Sequence, residues 1–178
     1  MQRVSLWKRS VGIMAVSGGL LLGGSLLSSV QAATAVCPPC GFPLGPGGLF
    51  VLTCDVTLCT TNPALSVDSA TLDMNGHTVS CLGPTPTNDG IVLLGSKAKL
   101  RNGTVTGCFN GVVLQGTGHH EVRNVTSSYN ANIGFEELEG SSANKLTNDT
   151  ASYNGTLIDG HSGGSGCDFV EGGAVLRG

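Results

Sequence analysis

The chain has 178 residues, a net charge of −3 and only 4% aromatic residues beside 28 glycines. That length suits one domain, and the scarcity of rings excludes a core built from large aromatic side chains. An acidic balance argues against nucleic acid, which is met by a basic face.

Residues 1–10 carry Arg3, Lys8 and Arg9, an apolar stretch follows from Val11 to about Leu27, and small residues lead to Val30-Gln31-Ala32. A positive start, an apolar middle and a small-x-small end make a secretory signal peptide over residues 1–32. Ala33-Thr34-Ala35 is a second cleavage option. The apolar part is too short and too rich in Gly and Ser for a good membrane span, and no other segment could cross a membrane. Cleavage after Ala32 leaves about 146 residues with six Lys and Arg against twelve Asp and Glu, a net charge near −6. The predicted location is secreted or periplasmic.

All seven cysteines lie beyond the leader. Export makes disulfides the default, and the odd number leaves one thiol over. Residues 33–48 form a Cys/Pro/Gly-rich N-terminal segment that begins with Cys37-Pro38-Pro39-Cys40. With Cys54 and Cys59 this pair staples the first coil shut; a zinc knot from the same four thiols is the alternative.

From residue 49 onward the chain repeats. Leu100-Arg101-Asn102-Gly103-Thr104 recurs as Val122-Arg123-Asn124-Val125-Thr126 and as Leu146-Thr147-Asn148-Asp149-Thr150, at steps of 22 and 24 residues. A second track runs Gly90-Ile91-Val92-Leu93, Gly111-Val112-Val113-Leu114, Gly134-Phe135 and Gly155-Thr156-Leu157-Ile158. Each unit has two short β-prone runs between Gly, Asn and Ser, and cannot bury its apolar side alone. Stacking buries it, rung on rung, with strands in register between coils. The spacing therefore predicts that Leu72, Leu100, Val122 and Leu146 form one inward column, and Ile91, Val112, Phe135 and Thr156 another. The closing Gly173-Ala174-Val175-Leu176-Arg177-Gly178 reads as the start of a further, incomplete coil.

Thr71-Leu72-Asp73-Met74-Asn75-Gly76-His77-Thr78-Val79 resembles the first coil of right-handed parallel β-helix proteins of the pectate-lyase-like superfamily. Ser127-Ser128-Tyr129-Asn130 and Ala151-Ser152-Tyr153-Asn154 resemble that superfamily's coil ends. The resemblance covers roughly residues 49–160. It implies an all-β fold, a short single-stranded right-handed parallel β-helix of about four to five coils over residues 49–178. The fold hosts lyases, hydrolases, epimerases and binding proteins, so it does not by itself imply one activity.

Stacking converts sequence offsets into columns. Six residues after Asn75, Asn102, Asn124 and Asn148 stand Cys81, Cys108, Asn130 and Asn154. Asn130 and Asn154 are expected to form an amide ladder. Cys81 and Cys108 are expected to form a disulfide, because adjacent rungs lie about 4.8 Å apart and a disulfide accepts Cα separations of about 4.4–6.8 Å. The four Asn-x-Thr triplets fall in turn slots of the repeat, which explains them without glycosylation.

The outward column Thr71, Lys99, Glu121, Lys145 predicts a surface ion-pair ladder. The next column, Asp73, Arg101, Arg123, Thr147, sets two arginines on neighbouring rungs. Lys97, Lys99, Arg101 and Arg123 form the one basic patch, the candidate ligand-binding strip, and its partner would be an acidic polysaccharide or a cell-envelope glycan. Asp73, Arg101 and Arg123 are the weak catalytic candidates. The family's lyases hold calcium with acids on one sheet and abstract a proton with Arg or Lys, and this chain departs from them: no three acids fall on successive rungs at one column. Alternation splits Glu136, Glu137 and Glu139 between faces. A hydrolase needs paired carboxylates, for which Asp149, Asp159 and Asp168 are candidates by elimination. His119-His120 reads as an exposed turn, with a copper or zinc site as the alternative. No cofactor motif is present. Two functional classes follow: a non-catalytic exported β-helix that binds glycan or envelope or serves a structural role, and a small lyase or hydrolase acting on acidic polysaccharide.

Overall fold

The structure is a computed structural model and describes residues 31–83 and 88–155, together with the backbone of 169–170. The described chain is all-β. It winds as a parallel β-solenoid of about five turns.

The first coil holds β1 (Ala33–Val36) and β2 (Phe42–Leu44). The second holds β3 (Leu49–Leu52), β4 (Val56–Cys59) and β5 (Leu65–Asp68). The third holds β6 (Thr71–Asp73), β7 (Thr78–Cys81) and β8 (Ile91–Leu94). In the fourth, β9 (Lys99–Thr106) spans two positions of the coil and is followed by β10 (Val112–Leu114). The fifth repeats this with β11 (Glu121–Ser128) and β12 (Phe135–Glu137). β13 (Lys145–Thr147), β14 (Thr150–Ser152) and β15 (Phe169–Val170) complete the series. Among the described residues nine strands form one sheet and six the other, and every pairing is parallel.

The predicted register is observed. Leu72, Leu100, Val122 and Leu146 stand one above another. The first three are fully buried, and Leu146 packs half-buried at the edge of the core. Ile91, Val112 and Phe135 form the second column, all buried. Its next member is Phe169, paired with Phe135. The expectation for Thr156 falls on a residue outside the described ones, as do the leader residues 1–30, Asp159, Cys167, Asp168 and the closing run 173–178.

The stack also begins before residue 49. β1 pairs with β3, and β2 with β5, so the Cys/Pro/Gly-rich segment supplies the first coil. Cys37–Cys54 and Cys40–Cys59 bridge this coil to the second. The predicted Cys81–Cys108 disulfide is present, with a Cα separation of 4.8 Å.

One corner of the coil is bent by asparagines. Asn75, Asn102, Asn124 and Asn148 all have left-handed φ between 51° and 59°. Asparagine tolerates that region because its short side chain hydrogen-bonds locally. Gly90 and Gly111 answer a different need. A Cβ at Gly90 would overlap Val105 and the Gly111 carbonyl, and one at Gly111 would overlap Ser127 and the Gly134 carbonyl. The coils approach too closely there for any side chain.

The buried ladder is likewise as expected. Asn130 Nδ2 donates to Asn154 Oδ1 at 3.0 Å, and Asn130 Oδ1 accepts from the Cys108 N–H at 3.1 Å. These amides satisfy backbone groups where the strands end, which an apolar residue could not do.

Replacing both Cys81 and Cys108 with Ser should lower stability by roughly 3.5 kcal/mol, the loop-closure entropy of a closed loop of 27 residues. The urea midpoint of the double variant against the native chain measures this, and an unchanged midpoint would remove the argument. Leu100→Ala should cost about 2–5 kcal/mol through the cavity it leaves in the aliphatic column, read by the same denaturation.

Candidate functional site

The outward side chains of β6, β9 and β11 border an open groove of about 280 Å³. Lys99, Arg101 and Arg123 line it, with Asn102 and Asn124 at its corner. The strands place them there by alternation: Leu100 and Val122 point in, so their neighbours point out.

Two of the three cations are engaged. Lys99 Nζ lies 3.0 Å from Glu121 Oε2, and Arg101 Nε lies 3.0 Å from Asp73 Oδ2. The Lys99 ammonium, through its hydrogen bond, holds the Glu121 carboxyl below its ordinary value. Asp73 Oδ1 accepts the Asn75 N–H at 2.9 Å and Asn102 Nδ2 at 3.1 Å. With Arg101 it has three donors, the coordination of a carboxylate that fixes a turn. Asp73 and Arg101 thus meet, and Arg123 stands on the next rung beside Arg101. Among the described residues Arg123 has no ion-pair partner. Lys97 is exposed, has φ of 59° in the bend before β9, and is not among the residues that line the groove. Burial still alternates through this bend: Lys97 and Lys99 are exposed while Ala98 and Leu100 are buried.

The corner of the groove carries an amide ladder. Asn124 Nδ2 donates to Asn102 Oδ1 at 3.1 Å, and Asn148 Nδ2 to Asn124 Oδ1 at 3.4 Å.

A second constellation, on the six-stranded sheet, was not legible in the sequence. Asn110 Nδ2 donates to Asp89 Oδ1 and to Glu136 Oε2, each at 3.0 Å. The two carboxylate oxygens therefore lie no more than 6.0 Å apart. Burial pushes both carboxyls above their ordinary values, and the Asp89 charge raises Glu136 further. Asn132 Nδ2 holds Asn110 Oδ1 at 2.9 Å. Asp89 and Glu136 are 47 positions apart in sequence. Only the combination of coil closure and register brings them together.

Other acids are structural. Asp149 accepts the Val125 and Thr147 N–H groups, each at 2.8 Å, and burial raises its carboxyl. The split of Glu136 and Glu137 between faces is as predicted. Glu137 is 5% exposed in the column above Leu114, and neither of its oxygens has a hydrogen-bond partner among the described residues.

The histidine turn differs from expectation. His119 is exposed, but His120 is 1% exposed. Its Nδ1 accepts the Ala98 N–H at 3.1 Å, so Nε2 carries the proton and donates to the Gln115 carbonyl at 2.7 Å. Burial lowers its pKa. Both nitrogens are committed to backbone groups, so His120 works as a neutral core residue. Among the described residues no three of His, Cys, Asp and Glu converge as a metal site.

Comparison with known protein families, curated proteins and solved structures found no match.

The Asp89–Glu136 pair makes a pH prediction. Folded-state pKa values above the unfolded ones favour folding in acid, and that contribution is lost as pH rises through them. Glu136→Gln keeps an oxygen for Asn110 and removes the charge. It should raise the urea midpoint near pH 7, and the gain should vanish below about pH 4, where the unfolded carboxyl is itself protonated. An equal gain at both pH values would show that charge is not the cause.

Proposed function

We propose that this is an exported, non-catalytic parallel β-helix protein of the pectate-lyase-like kind that binds acidic polysaccharide or cell-envelope glycan. The observation that carries the reading is Arg123, a cation without an ion pair among the described residues, beside Arg101 at an open groove. Guanidinium groups match carboxylates in fork geometry, and the Asn102–Asn124 amides supply partners for sugar hydroxyls. The groove falls below the roughly 300–1,000 Å³ of enclosed small-molecule sites. An open cradle of that size suits one stretch of a long chain. Three disulfides fit an oxidising compartment.

A second reading, a small hydrolase, is favoured by one observation. The shared Asn110 amide holds two carboxylates at a spacing compatible with the roughly 5–5.5 Å of retaining glycoside hydrolases. The elevated Glu136 carboxyl would be the proton donor.

Affinity electrophoresis in gels containing polygalacturonate or alginate tests the first reading. Retardation is expected at low salt and should fade as salt screens the contact. Arg123→Ala should weaken binding about two- to fivefold, the worth of one exposed charge contact. Retardation undiminished in the Arg101→Ala, Arg123→Ala double variant would end the idea. Release of reducing ends from the same polymers, abolished by Glu136→Gln, would replace it with the hydrolase.

A further inference from the structure

The second outward face of the nine-stranded sheet has a composition unlike the rest of the surface. Thr78, Thr104, Thr126 and Thr150 stand one above another in four consecutive rungs. Two residues on, Ser80, Thr106, Ser128 and Ser152 form a second column in the same register. All eight positions carry a hydroxyl; seven of them are half-buried or exposed, and Ser128 is 7% exposed. The residues between the columns point inward: Val79, Val105 and Ser127 are buried and Ala151 packs on the core.

Three further facts set this face apart. Among the described residues its two columns bear no charge over four rungs, although the adjoining face bears Lys99, Glu121, Arg101 and Arg123. Its charged boundary is Asp55, whose carboxylate accepts the Thr78 N–H at 2.9 Å. The exposed rings of Tyr129 and Tyr153 stack on each other beyond the second column, so no aromatic group stands within it. Lastly, the hydroxyls are unused. Among the described residues only Ser80 Oγ has a protein partner, the Leu58 N–H at 3.4 Å. A solitary surface threonine is ordinary; a charge-free, two-dimensional array of uncommitted hydroxyls is a lattice.

Its two repeats are set by β-structure, about 4.7–4.9 Å between rungs and about 6.6–6.8 Å between alternate residues of a strand. Tetrahedral water with an O···O distance of about 2.75 Å repeats at about 4.5 Å between second neighbours and at about 7.3 Å along the hexagonal axis of ice. The mismatch along the stack is about 0.3 Å per rung, so it accumulates to only about 1 Å over the array. Hydroxyl hydrogen bonds span about 2.5–3.0 Å, a window that absorbs the mismatch between neighbouring rungs. The scaffold is held rigid by register and by the Cys81–Cys108 bridge at the end of these strands, so little conformational freedom is lost on binding.

We propose that the face built from the Thr78–Thr150 and Ser80–Ser152 columns binds ice, its hydroxyls anchoring water in the lattice and its threonine methyls seating between them. The ligand is crystalline water, and the site is separate from the glycan groove. A neutral polysaccharide offers a row of hydroxyls, and it is commonly held by ring stacking. The exposed Tyr129–Tyr153 stack borders the face, so what favours ice is the two-dimensional repeat alone.

The test uses the full chain with its disulfides formed. Ice recrystallisation in sucrose and thermal hysteresis on single crystals are the readouts. The native protein should inhibit recrystallisation and facet the crystals. Thr126→Lys and Thr104→Lys should lose both effects while circular dichroism and melting stay native. Thr126→Val, which keeps the methyls and shape, should weaken them, and Ser152→Thr should strengthen them. Arg123→Ala, in the groove, should change neither. Ice growth indistinguishable from that with an inert globular protein would overturn the proposal, as would full activity in a folded Thr126→Lys chain. Retention on crystalline cellulose or chitin, lost in Thr126→Lys and without any effect on ice, would assign the face to glycan instead.

Discussion

Each coil of this protein is stable only because the next coil lies over it in register. A turn of about 22 residues with short strands has one apolar side and no layer of its own to cover it. The Leu72–Leu100–Val122 column supplies the cover, because each leucine or valine closes the gap above the one below. A slip of one residue would turn that column outward and bring Lys99 or Arg101 in. The penalty for a buried unpaired charge makes the register steep. The left-handed asparagines enforce it mechanically, since each coil must bend at the same place for the strands to stay aligned.

Everything on the surface inherits that alignment. One face collects alternating charges, which pair as Lys99–Glu121 and Arg101–Asp73. That pairing leaves Lys97 and Arg123 as the strip's cations without an ion pair among the described residues. The next face collects hydroxyls. The six-stranded sheet collects Asp89, Asn110 and Glu136 at its edge. A solenoid multiplies whatever residue sits at a given offset, and so makes chemical stripes rather than pockets.

The ends and corners carry the departures. Residues 33–48 look like a separate stapled segment because their Pro and Gly content masks two short strands, yet Ala33–Val36 and Phe42–Leu44 pair as the others do. His120 looks exposed because glycines surround it, yet Gln115 and Ala98 draw its ring inward. In the interior of a coil corner, a neutral imidazole can satisfy two backbone groups at once, and this outweighs its polarity. The buried Asn130–Asn154 ladder does the same work one corner further on.

The sequence by itself determined the fold class, the rung spacing and the identity of most inward residues, because a fixed period with alternating apolar positions admits one stacking. It also determined the Cys81–Cys108 bridge, since two residues at one offset on adjacent rungs lie within bonding distance. Tertiary structure alone decided how the corners are aimed. It alone decided that Asp89 meets Glu136, because their offsets differ and only the shared Asn110 amide joins them. Register follows from local pattern; contact between different offsets follows from the path of the bends, which no local pattern encodes.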